Sequence, residues 1–223
     1  MKVTIISGAS RGIGAAIAED LKDEEGALIK LSSVNVDFED YDAVYEGVGS
    51  LLNCFSNITQ INLVLCAAQM GTAKIISEKE CEKLFKINVL GNLAVINVAT
   101  EFNAKMRIVW FAGGGAAKPL PEFLGYSLSK VAVVRAVENL SLILKNTSII
   151  ALGPGAVDTR LLQQTLDAGI KVNVRTDISE PVNFVRRFIK DEMESEKYNG
   201  FFLHVRDNLH TFDGTKFKLR RIE

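Results

Sequence analysis

The chain has 223 residues, of which 48% are hydrophobic and 24% charged, a balance typical of a globular protein and not of a disordered one. Its net charge of −1 gives no electrostatic basis for binding nucleic acid or an acidic membrane surface. Three cysteines without metal-type spacing, and two histidines that both lie late in the chain, argue against a zinc site or a histidine-based triad.

The termini and the hydropathy pattern give no sign of membrane insertion or secretion. No apolar run approaches the roughly 18 residues that a membrane-spanning helix needs. The first residues, "MKVTIISG", are too short for a signal peptide and lead directly into glycines, so we expect a first strand there. A cytoplasmic location is therefore expected. The basic "KFKLRR" near the C-terminus is interpreted as a solvated tail.

Short β-rich apolar runs alternate with longer helical patterns along the chain. The predicted strands lie at residues 3–7, 27–31, 61–66, 107–111, 147–152 and 200–205. Stretches such as 13–21 and 131–144 repeat apolar residues at helical spacing, and "SEP" at 179–181 marks the start of a later helix. Apolar strands separated by helices predict an α/β fold, with one doubly wound parallel sheet covered on both faces. We expect a single domain over residues 1–223.

One connection is unusually short. A parallel crossover needs a dozen or more residues, and there is no such room between "ALIKL" (27–31) and "VNVDFED" (34–40). Two interpretations are open. Either the connection between two strands has been cut to a loop, or "VNV" only touches the edge of the sheet.

The first predicted strand is followed by "SGASRGIG", which opens the first helix. Gly8, Gly12 and Gly14 would allow a sharp turn and a close backbone approach to a pyrophosphate, and the helix N-terminus would supply unpaired N–H groups to that anion. The alternative is a plain tight turn. The position directly after a strand and before a helix favours a dinucleotide-binding loop.

A second pattern lies in "FAGGGAAKPLPEFLGYSLSK" (111–130). Tyr126 and Lys130 are one helical turn apart and can share a face, which places a phenol beside an ammonium. Taken alone, this spacing also fits an amphipathic helix with one aromatic residue and one exposed charge.

Together these patterns resemble the short-chain dehydrogenase/reductase family, which combines Gly-x-x-x-Gly-x-Gly with a downstream Tyr-x-x-x-Lys. "VDFED" (36–40) resembles the segment whose aspartate, here Asp37, contacts the adenine. "LCAA" (65–68) lies where the family keeps an Asn-Asn-Ala-Gly turn. "INVLGN" (87–92) is similar to the family's asparagine-bearing helix, and "GPGAVDT" (153–159) to the loop that holds the nicotinamide. The resemblance implies a Rossmann-type fold and an NAD(P)-dependent oxidoreductase that interconverts a carbonyl and an alcohol.

The resemblance also implies site residues. Tyr126 would be the acid or base, Lys130 would lower the pKa of Tyr126 and bind the nicotinamide ribose, and Asn88 would help hold a water that links the lysine to solvent. The implied cofactor-binding residues are Gly8, Ser10, Arg11, Gly12, Ile13, Gly14, Ser32, Asp37, Ala67, Ala68, Tyr126, Lys130, Pro154, Gly155, Val157 and Thr159. No metal site is expected.

The sequence departs from the family in two places. "LCAA" lacks both asparagines, so we expect side-chain hydrogen bonding at that turn to be lost. The family's catalytic serine would fall at Ala112 or Gly113, and neither has a hydroxyl. Three interpretations are open: backbone N–H groups of residues 113–115 replace it, the glycines make room for a bulkier substrate, or the site is degraded. Ser127 is a poorer replacement because its neighbouring helix position points elsewhere.

The choice of cofactor depends on the end of the second strand. It reads "KLSS" (30–33) and has no acidic residue for a ribose 2′-hydroxyl, while Arg11 adds a positive charge nearby. These residues favour NADP over NAD.

The substrate is the least determined property. The predicted substrate lid, "RLLQQTLDAGIKVNV" (160–174), mixes Leu with polar residues and suits a moderately polar small molecule. The glycine-rich loop faintly resembles reductases of activated sugars. Helices around 88–104 and 130–144 are apolar on more than one face, as in family members that form homodimers or homotetramers. A sensor or oligomer subunit that has lost catalysis, and a nucleotide-sugar epimerase or dehydratase, are the alternative functions.

Overall fold

The computed structural model describes residues 1–72 and 77–209, and within them all six predicted apolar runs form strands. "KFKLRR" lies outside the described residues. The strands are β1 (Lys2–Ser7), β2 (Ala27–Leu31), β3 (Gln60–Leu65), β4 (Lys105–Phe111), β5 (Thr147–Gly153) and β6 (Phe202–His204).

Helices connect the strands on both faces of the sheet. They are α1 (Gly12–Asp20), α2 (Tyr41–Leu52), α3 (Glu78–Phe85), α4 (Gly91–Ala99), α5 (Gly114–Ala117), α6 (Leu124–Ile143), α7 (Arg160–Asp167) and α8 (Ser179–Ile189). A π-helical turn, Lys86–Leu90, joins α3 to α4, and a 3₁₀ turn, Ser195–Tyr198, precedes β6. In the described part of the chain no helix is both long and apolar enough to cross a membrane.

The six strands form one parallel sheet in the order β2-β1-β3-β4-β5-β6. The chain leaves β1 toward β2 on one side and then crosses to β3 on the other. This reversal opens a crevice at the carboxyl ends of β1 and β3, which is where ligands bind in open α/β sheets. The predicted doubly wound parallel sheet is confirmed.

The "VNV" segment forms a turn and pairs with no strand, so neither sequence interpretation of it was right. Asn35 shapes this turn: its Oδ1 accepts from the Ser32 N–H at 2.7 Å, and its Nδ2 donates to the Lys30 carbonyl at 2.9 Å. The chain passes directly into α2, whose first turn is capped by Asp40 accepting from the Ala43 N–H at 3.0 Å. β2 is therefore an edge of the sheet, because α2 carries the chain away from it.

The core lies in two layers, one on each face of the sheet. Alternate strand residues such as Leu63 and Trp110 pack under α2, α4 and α6, while Val64 and Val109 pack under α1 and α8. This burial on both faces explains why the strands read as continuous apolar runs. The two layers fix the carboxyl ends of the strands, where the candidate site lies.

Candidate active site

A cleft of about 420 Å³ lies at the carboxyl ends of the central strands and collects most of the predicted site residues. The predicted residues that line it are Gly8, Ser10, Arg11, Gly12, Ile13, Gly14, Ser32, Asp37, Ala67, Ala68, Tyr126, Lys130, Pro154 and Thr159. Three other predicted residues, Asn88, Gly155 and Val157, are not among its lining residues. The cleft volume falls within the range of about 300–1,000 Å³ that small-molecule and cofactor sites occupy.

The glycine loop has the geometry that a close approach to a ligand requires. Gly8 and Gly12 have φ values of 69° and 56°, in the left-handed region that favours glycine. A Cβ on Gly8 would lie 2.8 Å from the backbone nitrogen of Ala67, so the two loops that border the crevice touch there. α1 begins at Gly12 without a side-chain cap, which leaves its first N–H groups directed toward the cleft.

The turn after β3 keeps its side-chain support, contrary to the expectation that it is lost. Ser7 Oγ accepts from the Ala67 N–H at 3.1 Å and donates to Asn92 Oδ1 at 2.7 Å. Asn92 Nδ2 in turn donates to the Ala67 carbonyl at 3.0 Å. Ser7 and Asn92 are buried and come from β1 and α4, so neighbouring elements supply the hydrogen bonds that "LCAA" itself cannot make.

The end of the cleft beside β2 has mixed charge. Ser32, Ser33 and Arg11 line it as expected, but Lys30 does not. Lys30 alternates with Leu31 along the strand and so faces the other side of the sheet. Asp37 also lines the cleft, and its Oδ1 accepts from the backbone N–H of Glu39 at 2.9 Å.

Tyr126 and Lys130 lie buried in the first turns of α6. Lys130 Nζ donates to the Phe111 carbonyl at 2.8 Å and lies 5.6 Å from the centre of the Tyr126 ring. Burial raises the pKa of Tyr126 to about 12 and lowers the pKa of Lys130 to about 8. In the protein alone the pKa of Tyr126 is therefore raised and not lowered as expected, because burial outweighs the charge of the nearby Lys130 ammonium.

Gly113 is one of the two residues, with Ala112, at which the family's serine was expected, and the Tyr126 hydroxyl lies directly against it. Gly113 has φ 107° and ψ 179°, and a Cβ there would lie 2.7 Å from Tyr126 Oη. The same hydroxyl is 3.5 Å from the Ala112 carbonyl. The Tyr126 hydroxyl therefore leaves no space for a side chain at Gly113.

Asn88 is fully buried in the π-helical turn, and its side chain hydrogen-bonds two other segments of the chain. Its Oδ1 accepts from the Gln69 N–H at 2.7 Å, and its Nδ2 donates to the Gln69 carbonyl and to Ser129 Oγ, both at 2.9 Å. Ser129 Oγ donates to the Tyr126 carbonyl at 2.7 Å. Asn88 thus ties the turn after β3 to the helix that carries Tyr126.

The loop after β5 contributes Pro154 and Thr159 to the cleft, while Gly155 is exposed and Val157 is buried outside the cleft lining. Val157 is buried and forms a parallel β-bridge with Thr176, whose N–H donates to the Ala156 carbonyl at 3.0 Å. The Asp158–Arg175 ion pair, at 3.3 Å, lies beside this bridge. Both ends of the segment 158–176, which we call the lid, are therefore joined to each other.

The lid packs an apolar surface against Tyr126. The buried side chains of Met70, Phe123 and Tyr126 form a cluster, against which Leu120, Leu161, Ala168 and Ile170 pack. Thr165 Oγ1 also contacts Met70 Sδ at 3.6 Å. Sequence reasoning missed this cluster, and it missed Gln69 as a residue that lines the cleft. The only signal for Gln69 was its place next to "LCAA".

Comparison with known proteins agrees with this architecture. A family model described as short chain dehydrogenase matches residues 27–169. An uncharacterized oxidoreductase of Schizosaccharomyces pombe is 27% identical over 177 residues, which cover 71% of this chain and 72% of that protein.

Solved structures share the fold. The NAD⁺-bound xylitol dehydrogenase has a TM-score of 0.77 at 22% identity, covering 91% of this chain and 96% of that one. A short chain dehydrogenase of Burkholderia cenocepacia in complex with NADP has a TM-score of 0.76 at 18% identity, covering 94% and 98%. The match over most of the chain, together with the glycine loop and the Tyr126–Lys130 turn in one cleft, shows that this protein belongs to the short chain dehydrogenase family, a family of nicotinamide-dinucleotide oxidoreductases.

Proposed function

We propose that the protein interconverts a carbonyl and an alcohol by hydride transfer, with Tyr126 as the acid or base. The observation that carries this proposal is the placement of Tyr126 and Lys130 in the same cleft as the glycine loop. A nicotinamide dinucleotide would supply the hydride when bound. The glycine loop and the uncapped start of α1 would hold its pyrophosphate, and Pro154 and Thr159 would border its nicotinamide end.

Tyr126 would move the proton. In reduction, a hydride adds to the carbonyl carbon, the carbonyl electron pair moves to oxygen, and the Tyr126 hydroxyl gives its proton to that oxygen. In oxidation the same steps run in reverse. Burial raises the pKa of Tyr126 to about 12, so the phenol is neutral at physiological pH and carries the proton that it would donate. The Lys130 ammonium stabilises the phenolate that donation leaves behind.

We propose NADP as the preferred cofactor, with NAD as the alternative. Arg11, Ser32 and Ser33 line the end of the cleft beside β2, where a 2′-phosphate would accept hydrogen bonds from them. Asp37 and Glu39 also line this region and would repel a phosphate. The preference for NADP therefore depends on Arg11, whose positive side chain would offset the two carboxylates.

The proposed substrate is a small, moderately polar molecule, with a sugar derivative as one option. Gln69 and Arg160 give the cleft polar groups, whereas Leu161 and the Met70–Phe123–Tyr126 cluster give it an apolar wall. A compound with one oxygen-rich side and one apolar side would match both. We also propose a cytoplasmic homodimer or homotetramer, in which half-exposed leucines such as Leu90 and Leu128 would be covered.

Substitution of the tyrosine tests the proposal. Tyr126→Phe removes one hydroxyl, and we expect near-complete loss of NADPH-dependent carbonyl reduction with unchanged NADPH affinity. Tyr45→Phe on α2 is a matched control, since it removes a phenol that is hydrogen-bonded to Glu101 far from the cleft. Turnover that survives Tyr126→Phe would contradict the proposed mechanism.

One observation favours a second function, a dinucleotide-binding sensor or oligomer subunit without catalysis. The Tyr126 hydroxyl lies against Gly113, where the family keeps a hydrogen-bond donor. A sensor would bind NADPH tightly and show no turnover of any carbonyl, in the wild type as in Tyr126→Phe. The same pair of measurements separates the two functions.

A further inference from the structure

The proposed reaction needs a hydrogen-bond donor for the substrate oxygen, and neither Ala112 nor Gly113 has a side chain that can provide it. Tyr126 Oη already occupies the space beside Gly113. Ser127 is no substitute, because its Oγ is buried against Gly115 and the residue does not line the cleft. A side-chain donor must therefore come from a different element, the alternative being a backbone N–H of residues 113–115.

Several lining side chains can donate a hydrogen bond. Most lie toward the glycine loop and the end of β2, namely Ser10, Arg11, Ser32, Ser33, Thr159 and Arg160, and Lys130 is bound to the Phe111 carbonyl, which leaves Gln69. Gln69 and Arg160 are both exposed, but Arg160 directly follows Thr159, whose methyl group would lie 3.2 Å from a Cβ on Gly12. Arg160 therefore lies on the pyrophosphate side of the cleft. Gln69 precedes Met70, which is buried against Tyr126, so Gln69 lies at the reacting end.

Gln69 is held in a fixed position while its side chain is uncommitted. Asn88 binds both backbone polar groups of Gln69, and through Ser129 the same asparagine is connected to the backbone of Tyr126. Among residues 1–72 and 77–209, no group forms a hydrogen bond with the side-chain amide of Gln69. A fixed backbone with an unpaired amide in the cleft is the arrangement that a substrate-binding donor requires.

We propose that the Gln69 side-chain amide donates the hydrogen bond to the substrate oxygen in place of the missing serine. This inference rests on the proposed function. Gln69 Nε2 donates to the carbonyl oxygen as negative charge develops there, while Tyr126 supplies the proton. Asn88 and Ser129 are positioning residues that keep the two donors at a constant separation.

The test compares Gln69→Glu and Gln69→Leu with the wild type. Glutamate keeps the shape of the side chain but replaces the donor by an acceptor, and leucine removes both groups. Asn53→Asp is the matched amide-to-acid control, at an exposed residue that ends α2 and lies outside the cleft. The probes are diacetyl, benzaldehyde and xylose with NADPH, and the readouts are kcat, the Kd of NADPH and the melting temperature.

We expect both Gln69 variants to lose roughly 10²–10³ in kcat, which is typical for removal of one such donor, with NADPH affinity and melting temperature unchanged. Wild-type kcat in either variant would overturn the inference alone. An equal loss of NADPH affinity or stability would also overturn it, since the side chain would then serve the cofactor or the fold. A wild type that binds NADPH but reduces no probe would overturn the proposed function and this inference together.

Discussion

Restoring the family's serine at Gly113 is expected to harm this protein, because the Tyr126 hydroxyl fills the required space. The Gly113 backbone, at φ 107° and ψ 179°, is in a region that only glycine adopts without strain. A side chain there would also place its Cβ 2.7 Å from Tyr126 Oη, closer than real Cβ contacts come. Gly113→Ser must therefore shift either the backbone or the tyrosine.

The size of the effect follows from these two conflicts. A non-glycine residue in such a backbone conformation costs about 1–3 kcal/mol. For a chain of this length each kcal/mol lowers the melting temperature by about 2–4 °C, which gives an expected decrease of roughly 2–12 °C. A displacement of the Tyr126 hydroxyl by about 1 Å would lower kcat by roughly 10²-fold.

Gly114→Ser provides the control. A Cβ on Gly114 meets no atom within 4 Å, and its φ is not in the left-handed region, so the same chemical change one residue later should be tolerated. Thermal unfolding and NADPH-dependent reduction of diacetyl would be measured for both variants. A Gly113→Ser protein that melts with the wild type and has a higher kcat would refute the steric argument.

Three further predictions concern charge and buried polar groups. Burial lowers the pKa of Lys130 from 10.5 to about 8, so between these values the unfolded chain binds the proton and the folded one does not. In the absence of cofactor, the free energy of unfolding should therefore rise over this window by about 1.4 kcal/mol per pH unit relative to Lys130→Met. Urea titrations at several pH values measure this slope, and identical slopes for the two proteins would refute the prediction. Asn88→Ala should lower the free energy of unfolding by about 1–3 kcal/mol for each buried hydrogen-bond partner that it leaves unpaired, as measured by urea unfolding. An unchanged midpoint would show that water replaces the hydrogen bonds of Asn88 to Gln69 and Ser129. Arg11→Ala should weaken NADPH binding roughly 10–100-fold and NADH binding far less, with the exposed Lys22→Ala as control; equal losses for both cofactors would contradict the assignment of Arg11 to the 2′-phosphate.

The fold was predictable because each local signal agreed with the global architecture. Apolar runs of strand length, separated by helical patterns, identified all six strands, and the glycine loop after β1 identified the crevice. The "VNV" segment was not predictable in the same way. Its conformation depends on the side-chain hydrogen bonds of Asn35, which turn the chain away from the sheet edge. Such hydrogen bonds leave no periodic pattern in the sequence.

The chemistry of the site could be predicted only in part. Spacing brought Tyr126 and Lys130 to one helix face, but it could not show that burial outweighs the lysine charge in setting the pKa of Tyr126. The hydrogen bonds of Ser7 and Asn92 at the Ala67 turn could also not be predicted from local patterns, because they join residues up to 85 positions apart. The apolar cluster on Tyr126 likewise depends on contacts between distant elements.

The closed base of the lid limits how a substrate can reach Tyr126. The Val157–Thr176 bridge and the Asp158–Arg175 pair join the two ends, so α7 can move only as part of a loop that is closed at its base. Entry must instead separate Leu161 and its neighbours from the Met70–Phe123 surface. The size of the substrate is then limited by how far the loop can move while its two ends stay joined. Inserting residues into the lid, with the cleft residues unchanged, should therefore admit larger carbonyl compounds.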